Sequence, residues 1–193
     1  MNINRAAGML PGAAYQHSPN CNHRPDPEGI DLVVIHGISL PAGQFGGDTV
    51  HRLFLNQLDC GPPELESLTD LRVSAHLLID RHGEVTQFVG FNQRAWHAGQ
   101  SAWQGRGNCN DFSVGIELEG MDCVAYTPRQ YDQLLRVVIA LMQCYPAITL
   151  DRVVGHSDIA PERKSDPGPA FNWQAFRRRL VAARASTVWL GDS

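Results

Sequence analysis

Four apolar residues in a row, Leu32-Val33-Val34-Ile35, run directly into His36. Such a run leaves no face for water, so as a strand it must be covered on both sides, which places it in the middle of a sheet with helices packed on it. A second short apolar run, Val153-Val154-Gly155, also ends on a histidine, His156. If the two strands are neighbours, both imidazoles arrive at one end of the sheet, where open sheets build their sites.

The remaining periodicities supply the helices and the other strands. Residues 1–29 are rich in Pro, Asn, His and Gly and read as an ordered arm without regular elements. From Thr49 to Asp59, Val50, Leu53, Phe54 and Leu58 fall at helical spacing, and Pro62 and Pro63 follow. Arg72–Asp80 and Glu84–Val89 flank Arg81-His82-Gly83, the pattern of a hairpin whose glycine takes the positive φ of a tight reversal. Phe112, Val114, Ile116 and Leu118 alternate with Ser113, Gly115, Glu117 and Glu119, which predicts a half-buried strand with one polar face.

Thr127-Pro128 has an N-cap residue followed by a proline where no amide donor is needed. Tyr131, Leu134, Leu135, Val138, Leu141, Met142 and Tyr145 then mark a core-facing helical stripe before Pro146. Asn172 can cap a last helix from Trp173 to about Ala183, with 185–193 as a loosely held tail. The resulting order predicts an α/β fold of mixed α+β character, a central mixed β-sheet flanked by helices, in one domain spanning 1–193.

Charge and cysteines narrow the function classes. A net charge of -4 without a dense lysine or arginine block gives no footprint for nucleic acid or an anionic membrane. No run approaches the roughly 20 apolar residues of a spanning helix, and Met1–Pro11 lacks the pattern of a signal peptide. The five cysteines, at 21, 60, 109, 123 and 144, are odd in number and form no Cys-x-x-Cys pair. That argues against a disulfide scaffold and for a reducing compartment, most simply the cytoplasm. No obligate protein partner is implied.

The segment Gly155–Pro169 is too polar and proline-rich for a buried strand or helix, and beside His156 it offers Asp158, Lys164 and Asp166. Two neutral imidazoles and a carboxylate are the ligand set of a catalytic zinc with an open position, so hydrolysis is the leading expectation. Taken singly, a strand-end histidine is more often structural, and the spacing leaves Asp158 and Asp166 as equal candidates. Glu117 and Glu119 share a strand face that Gly115 leaves open, either as a solvated surface or with one of them as a general base. Lys164 is either a surface charge or an oxyanion-stabilising cation. Trp96, beside His97 and small residues in Arg94–Gly99, suits a substrate wall or the core; His17, His23, His51 and His82 are assigned no role.

A series of blocks then points to a family. Val34-Ile35-His36, Ile38-Ser39-Leu40-Pro41, Phe45-Gly46-Gly47, Leu71–His76, Arg94–Gly99, Cys109–Ser113, Gly115–Gly120, Asp158–Pro161 and Lys164–Phe171 occur in this order. Together, from about Ser18 to Leu180, they resemble the zinc-dependent N-acetylmuramoyl-L-alanine amidases that share their fold with peptidoglycan-recognition proteins, most closely the branch acting on 1,6-anhydro-muropeptides. The resemblance implies one zinc per chain held by His36, His156 and Asp166, a structural Asp158, Glu117 rather than Glu119 as the catalytic carboxylate, and Lys164 as the transition-state cation. It places Arg72, Trp96 and Ala160 along a groove for an anhydromuropeptide substrate. The implied activity is cleavage of the muramic acid–L-alanine amide in cell-wall recycling. The rivals are a non-catalytic muropeptide sensor on the same fold and a metallopeptidase cutting peptide cross-links. Two departures, Gly37 in place of an asparagine and Asn108 in place of an arginine, are expected to bear on the peptide stem rather than on catalysis.

Overall fold

The computed structural model describes residues 1–58 and 63–188, with 187 and 188 as backbone only. The N-terminal segment contributes β1 (Ala14–Tyr15) and β2 (Cys21–His23), and the opening apolar run is β3 (Leu32–Ile38). Helices α1 (Thr49–Phe54) and α2 (Pro63–Glu66) precede the hairpin strands β4 (Leu77–Ile79) and β5 (Val85–Gln87). After β6 (Gln93–Ala95), β7 (Ala102–Trp103) and β8 (Arg106–Gly107) comes the long strand β9 (Ser113–Glu119). Helix α3 (Pro128–Cys144), β10 (Val153–Gly155), the single turn α4 (His156–Ile159) and α5 (Trp173–Val188) complete the chain.

Six strands form one sheet in the order β1-β5-β4-β9-β3-β10. Strands β4, β9, β3 and β10 run parallel, while β5 turns back antiparallel to β4, so the sheet is mixed as expected. β3 and β9 pair along their whole length, and that register sets His36 directly beside Glu117. β10 lies on the other side of β3, with Gly155 opposite Ile35, so His156 emerges next to His36. Three parallel strands thus end at one edge.

The two faces of the sheet differ. On one, Val33, Ile35, Leu77, Ile79, Val114, Ile116 and Leu118 pack against Leu134, Val137, Val138 and Leu141 of α3 and Phe176 and Leu180 of α5. Each fully buried side chain of this size contributes about 1.5–3 kcal/mol, so this face is the main source of stability. Helix α3 is fixed by its cap: Thr127 accepts the Gln130 amide at 3.2 Å, and the Gln130 side chain accepts the Thr127 amide at 3.0 Å. The other face carries Leu32 and Val34 against Phe112, Val154 and Ile159, and then becomes polar toward the strand ends.

Several expectations change. The strand 113–119 is buried along its entire length, not half-buried, because β3 and β4 flank it and its polar face looks into the interior. The segment after Gly155 is not wholly irregular: His156, buried, begins the turn α4, and the Asp158 carboxylate accepts the Gly155 amide at 2.7 Å. Helix α1 ends at Phe54 rather than near Asp59, with Asn56 at a positive φ of 58° just beyond it. Asp59, Cys60 and Pro62 lie outside the described residues. α5 runs to Val188, past the expected end, so part of the presumed tail is helical; 189–193 lie outside the described residues.

The N-terminal arm contains two short strands and is tied down from beneath. Arg24, buried, donates to the carbonyls of Phe91, Asn110, Asp111 and Ser113. A guanidinium satisfied by backbone carbonyls can remain inside without a carboxylate partner, although burial lowers its pKa to about 10.

Candidate active site

At the shared edge of β3, β9 and β10 three potential ligands converge. His36 Nδ1 lies 2.9 Å from His156 Nδ1 and 3.3 Å from Asp166 Oδ2, and His156 Nδ1 lies 3.1 Å from the same oxygen. Zinc bonds of about 2.0–2.1 Å in a tetrahedron place ligand atoms about 3.3 Å apart, so this triangle has nearly the required size. The donor chemistry agrees. His156 Nε2 is 3.2 Å from the Ala98 carbonyl, which only accepts, so neutral His156 carries its proton there and turns a lone pair toward the triangle. Among the described residues this is the one grouping of three or more such side chains able to hold a metal ion.

The electrostatics favour the same protonation states. Burial lowers the His36 pKa to about 4, against the opposing pull of its hydrogen bond to Asp166, so the ring is neutral near pH 7. Burial alone would raise the Asp166 pKa, but the pull of the adjoining His156 and His36 rings outweighs that and holds the carboxyl well below the usual range. With His36 neutral, Asp166 anionic and the Ala98 carbonyl accepting at His156 Nε2, the site turns two ring nitrogens and a carboxylate oxygen toward one point.

Glu117 stands beside His36 on the neighbouring strand and the same sheet face. It is 9% exposed, and its Oε2 is buried without a hydrogen-bond partner among the described residues. Burial first, and then the Asp166 charge, push its pKa well above the ordinary carboxylate value, while the Lys164 charge opposes the shift. A buried carboxyl that is short of a partner and readily takes a proton is suited to general acid–base work. Lys164 is exposed, but its charge acts on both His36 and Glu117, so its ammonium lies within electrostatic reach of the centre. Glu119 is engaged elsewhere: it accepts the amides of Gly46 and Arg81 and thereby ties the Phe45–Gly46–Gly47 loop to the hairpin.

The three proposed groove residues are less unified. Arg72 is exposed and donates to the carbonyls of Thr69 and Leu71 in its own segment. Trp96 is half-buried, its indole N–H donating to Asn22 at 2.8 Å. Ala160, buried, lines a cleft of about 370 Å³ with Gln100, Ala102 and Pro161. Asn108 begins a turn at a φ of 56°. Gly37 faces away from the centre, since it alternates with His36 along β3, and a Cβ there would collide with the Tyr126 hydroxyl. That hydroxyl donates to the Pro167 carbonyl at 2.9 Å, one residue from Asp166. The departure at 37 thus concerns packing under the sheet, not the groove.

Sequence reasoning missed the contact of Tyr126 and the histidine cluster behind the His36–His156–Asp166 triangle. His36 Nε2 lies 3.0 Å from His97 Nδ1, and both His97 and His76 are buried with pKa values well below the imidazole range, burial being the main cause. A signal for His97 existed: Gly115 leaves room for its ring, and a Cβ at that position would overlap it.

Comparison with known proteins gives a consistent picture. Residues 25–169 match the family model described as N-acetylmuramoyl-L-alanine amidase. The 1,6-anhydro-N-acetylmuramyl-L-alanine amidase AmpD of Escherichia coli K12 is 54% identical over 171 residues, 88% of this chain and 93% of that protein. The Haemophilus influenzae AmpD is 49% identical over 170 residues, 88% of this chain and 92% of that protein. Among solved structures, a selenomethionine derivative of AmpD superposes with a TM-score of 0.88 at 51% identity, over 93% of this chain and 99% of that one. E. coli AmiD, solved with the substrate anhydro-N-acetylmuramic acid-L-Ala-D-gamma-Glu-L-Lys, matches at a TM-score of 0.58 and 29% identity over 96% of this chain and 68% of that chain.

Proposed function

The chain belongs to the N-acetylmuramoyl-L-alanine amidase family, and on that premise we propose that His36, His156 and Asp166 hold one zinc ion beside Glu117 and Lys164 as the working side chains. The protein is an amidase that hydrolyses the bond between 1,6-anhydro-N-acetylmuramic acid and L-alanine of muropeptides in cell-wall recycling. The observation that carries the residue assignment is the 2.9–3.3 Å triangle of ligand atoms next to a buried, partnerless carboxyl oxygen.

Bound in the triangle, zinc supplies Lewis acidity that polarises a carbonyl and brings the pKa of water toward about 7. Glu117 accepts the proton of the attacking water as the tetrahedral centre forms. The same carboxyl, whose raised pKa favours the protonated state, then delivers the proton to the departing alanine amine. The Lys164 ammonium faces the negative charge that develops on the former carbonyl oxygen. Asp166 remains anionic throughout as the third proposed ligand, while the Ala98 carbonyl, accepting at His156 Nε2, orients that ring.

Trp96 and Ala160 are proposed as walls of the muropeptide groove. Arg72 can receive a stem-peptide carboxylate once its guanidinium leaves the Thr69 carbonyl. The cytoplasm is the proposed compartment, supported by free thiols at Cys21, Cys109, Cys123 and Cys144. No helix among the described residues is long and apolar enough to cross a membrane.

Incubation of the purified protein with anhydromuropeptide, with and without a chelator, tests the reading by product mass. The expected result is free stem peptide beginning at L-alanine, lost on chelation and restored by zinc. Unchanged substrate in both tubes would indicate a binding protein, cleavage inside the peptide would indicate a peptidase, and chelator-resistant release would remove the metal.

A further inference from the structure

Behind the ligands a chain of hydrogen bonds leaves little freedom in where protons sit. Ser113 Oγ donates to the Cys109 carbonyl at 2.6 Å, and a carbonyl oxygen only accepts. The hydroxyl is therefore left as an acceptor toward His97 Nε2, 3.2 Å away, and His97 must carry its proton on that nitrogen. A neutral imidazole has one ring proton, so His97 Nδ1 is a lone pair, and the group it meets is His36 Nε2 at 3.0 Å. His36 then donates from Nε2 and is left with a bare Nδ1, the atom that faces His156 and Asp166.

The next residue does the same for the other histidine, since the Ala98 carbonyl receives His156 Nε2 at 3.2 Å. Both acceptors belong to one dipeptide, and its position is held by Asn110, whose Oδ1 accepts the amides of His97 at 3.1 Å and Ala98 at 2.8 Å. His97, Asn110 and Ser113 are all buried, so water competes poorly for these bonds. Gly115, on the strand beneath, leaves room for the His97 ring to pack against β9.

We infer that His97, pinned by Asn110 and anchored by Ser113, is a positioning residue that keeps the His36 proton on Nε2 and so presents both histidine lone pairs, with Ala98 serving His156, to a metal ion. The inference rests on the zinc reading of the triangle. It separates His97 from the residues that touch substrate.

Zinc affinity by chelator competition, measured on wild type, His97→Leu, His97→Asn and Ser113→Ala, tests it together with nitrogen-15 spectra of the imidazoles in the zinc-free proteins. Asparagine Oδ1 can stand where His97 Nδ1 stands and accept the His36 proton; leucine cannot. The expected loss for His97→Leu is roughly 10–100-fold in zinc affinity, with His97→Asn recovering most of it. Ser113→Ala should fall between, and its spectra should show part of the His97 population protonated on Nδ1. In wild type both His36 and His97 should report Nε2–H.

Wild-type affinity in His97→Leu, no recovery in His97→Asn, or a wild-type His97 protonated on Nδ1 would overturn the inference. Should His97→Leu fail to fold, Ser113→Ala decides: unchanged affinity and unchanged tautomers overturn it. Wild type that takes up no zinc sinks the metal reading and this inference together, whereas zinc-binding wild type with an indifferent His97→Leu sinks only the latter.

Discussion

The two faces of the same three strands were built for different purposes. Under the sheet, Val33, Ile35, Val114, Ile116 and Leu118 meet α3 and α5 in an apolar layer. Above it, His36, Ser113 and Glu117 on the strands and His97 packed against them are nearly as buried, yet each is polar. The lower face gains free energy from removing apolar area from water; the upper face gives some of it up to hold neutral imidazoles and a carboxyl that burial disfavours ionising. Stability and chemistry are thus separated by the thickness of one sheet, and substitutions on the two sides should have different signatures.

The largest effect is expected at Glu117. Glu117→Gln should bind zinc normally and lose turnover by about 10²-fold or more, measured by product release alongside metal content. The pH dependence has a definite sign. A carboxyl with a raised pKa becomes a base only as pH rises through that value, so the acid limb of kcat/KM should lie above the usual carboxylate range and vanish in the variant. The same proton stabilises the fold at low pH, fully below the unfolded-state pKa, and this is lost as pH rises through the folded value. Zinc-free Glu117→Gln should therefore gain stability relative to wild type as pH increases. Wild-type turnover in this variant would erase the distinction between the faces.

A lower-face change should behave in the opposite way. Leu134→Ala, at a fully buried position under the sheet, should cost about 2–5 kcal/mol by denaturant titration and leave kcat of the folded protein near wild type. A kcat loss larger than the folded fraction explains would show the faces to be coupled. The smallest effect is expected at the boundary. Gly37→Asn should destabilise by about 1–3 kcal/mol, because its Cβ displaces the Tyr126 hydroxyl, with little change in KM for the peptide stem. A large KM change with unaltered stability would return position 37 to the groove.

Much of this was legible in the chain. The Leu32–Ile35 run, the Thr127-Pro128 cap and the stripe from Tyr131 to Tyr145 report directly on covalent neighbours and helical period, and the elements formed where those signals lie. The half-buried reading of 113–119 failed because alternation tells which residues share a face, not what that face meets. Polar side chains looking into an interior site have the same pattern as polar side chains looking into water. The contacts of Tyr126 and His97 were not legible for a related reason: what matters in each is a partner 41 or 61 residues away.

By itself, then, the sequence determined the strands, the capped helix, the two strand-end histidines and, through its ordered motifs, the family resemblance from which the proposed ligands and base were taken. Only the tertiary structure decided that β10 adjoins β3 and β9 the other flank, that Asp158 caps a turn while Asp166 reaches the imidazoles, that Glu119 braces a loop while Glu117 stays unpaired, and that Gly37 looks downward. The physical reason is range. Period and capping are set within a few residues by backbone geometry, whereas strand order, loop return and the identity of a buried neighbour arise from packing between segments that share no covalent proximity.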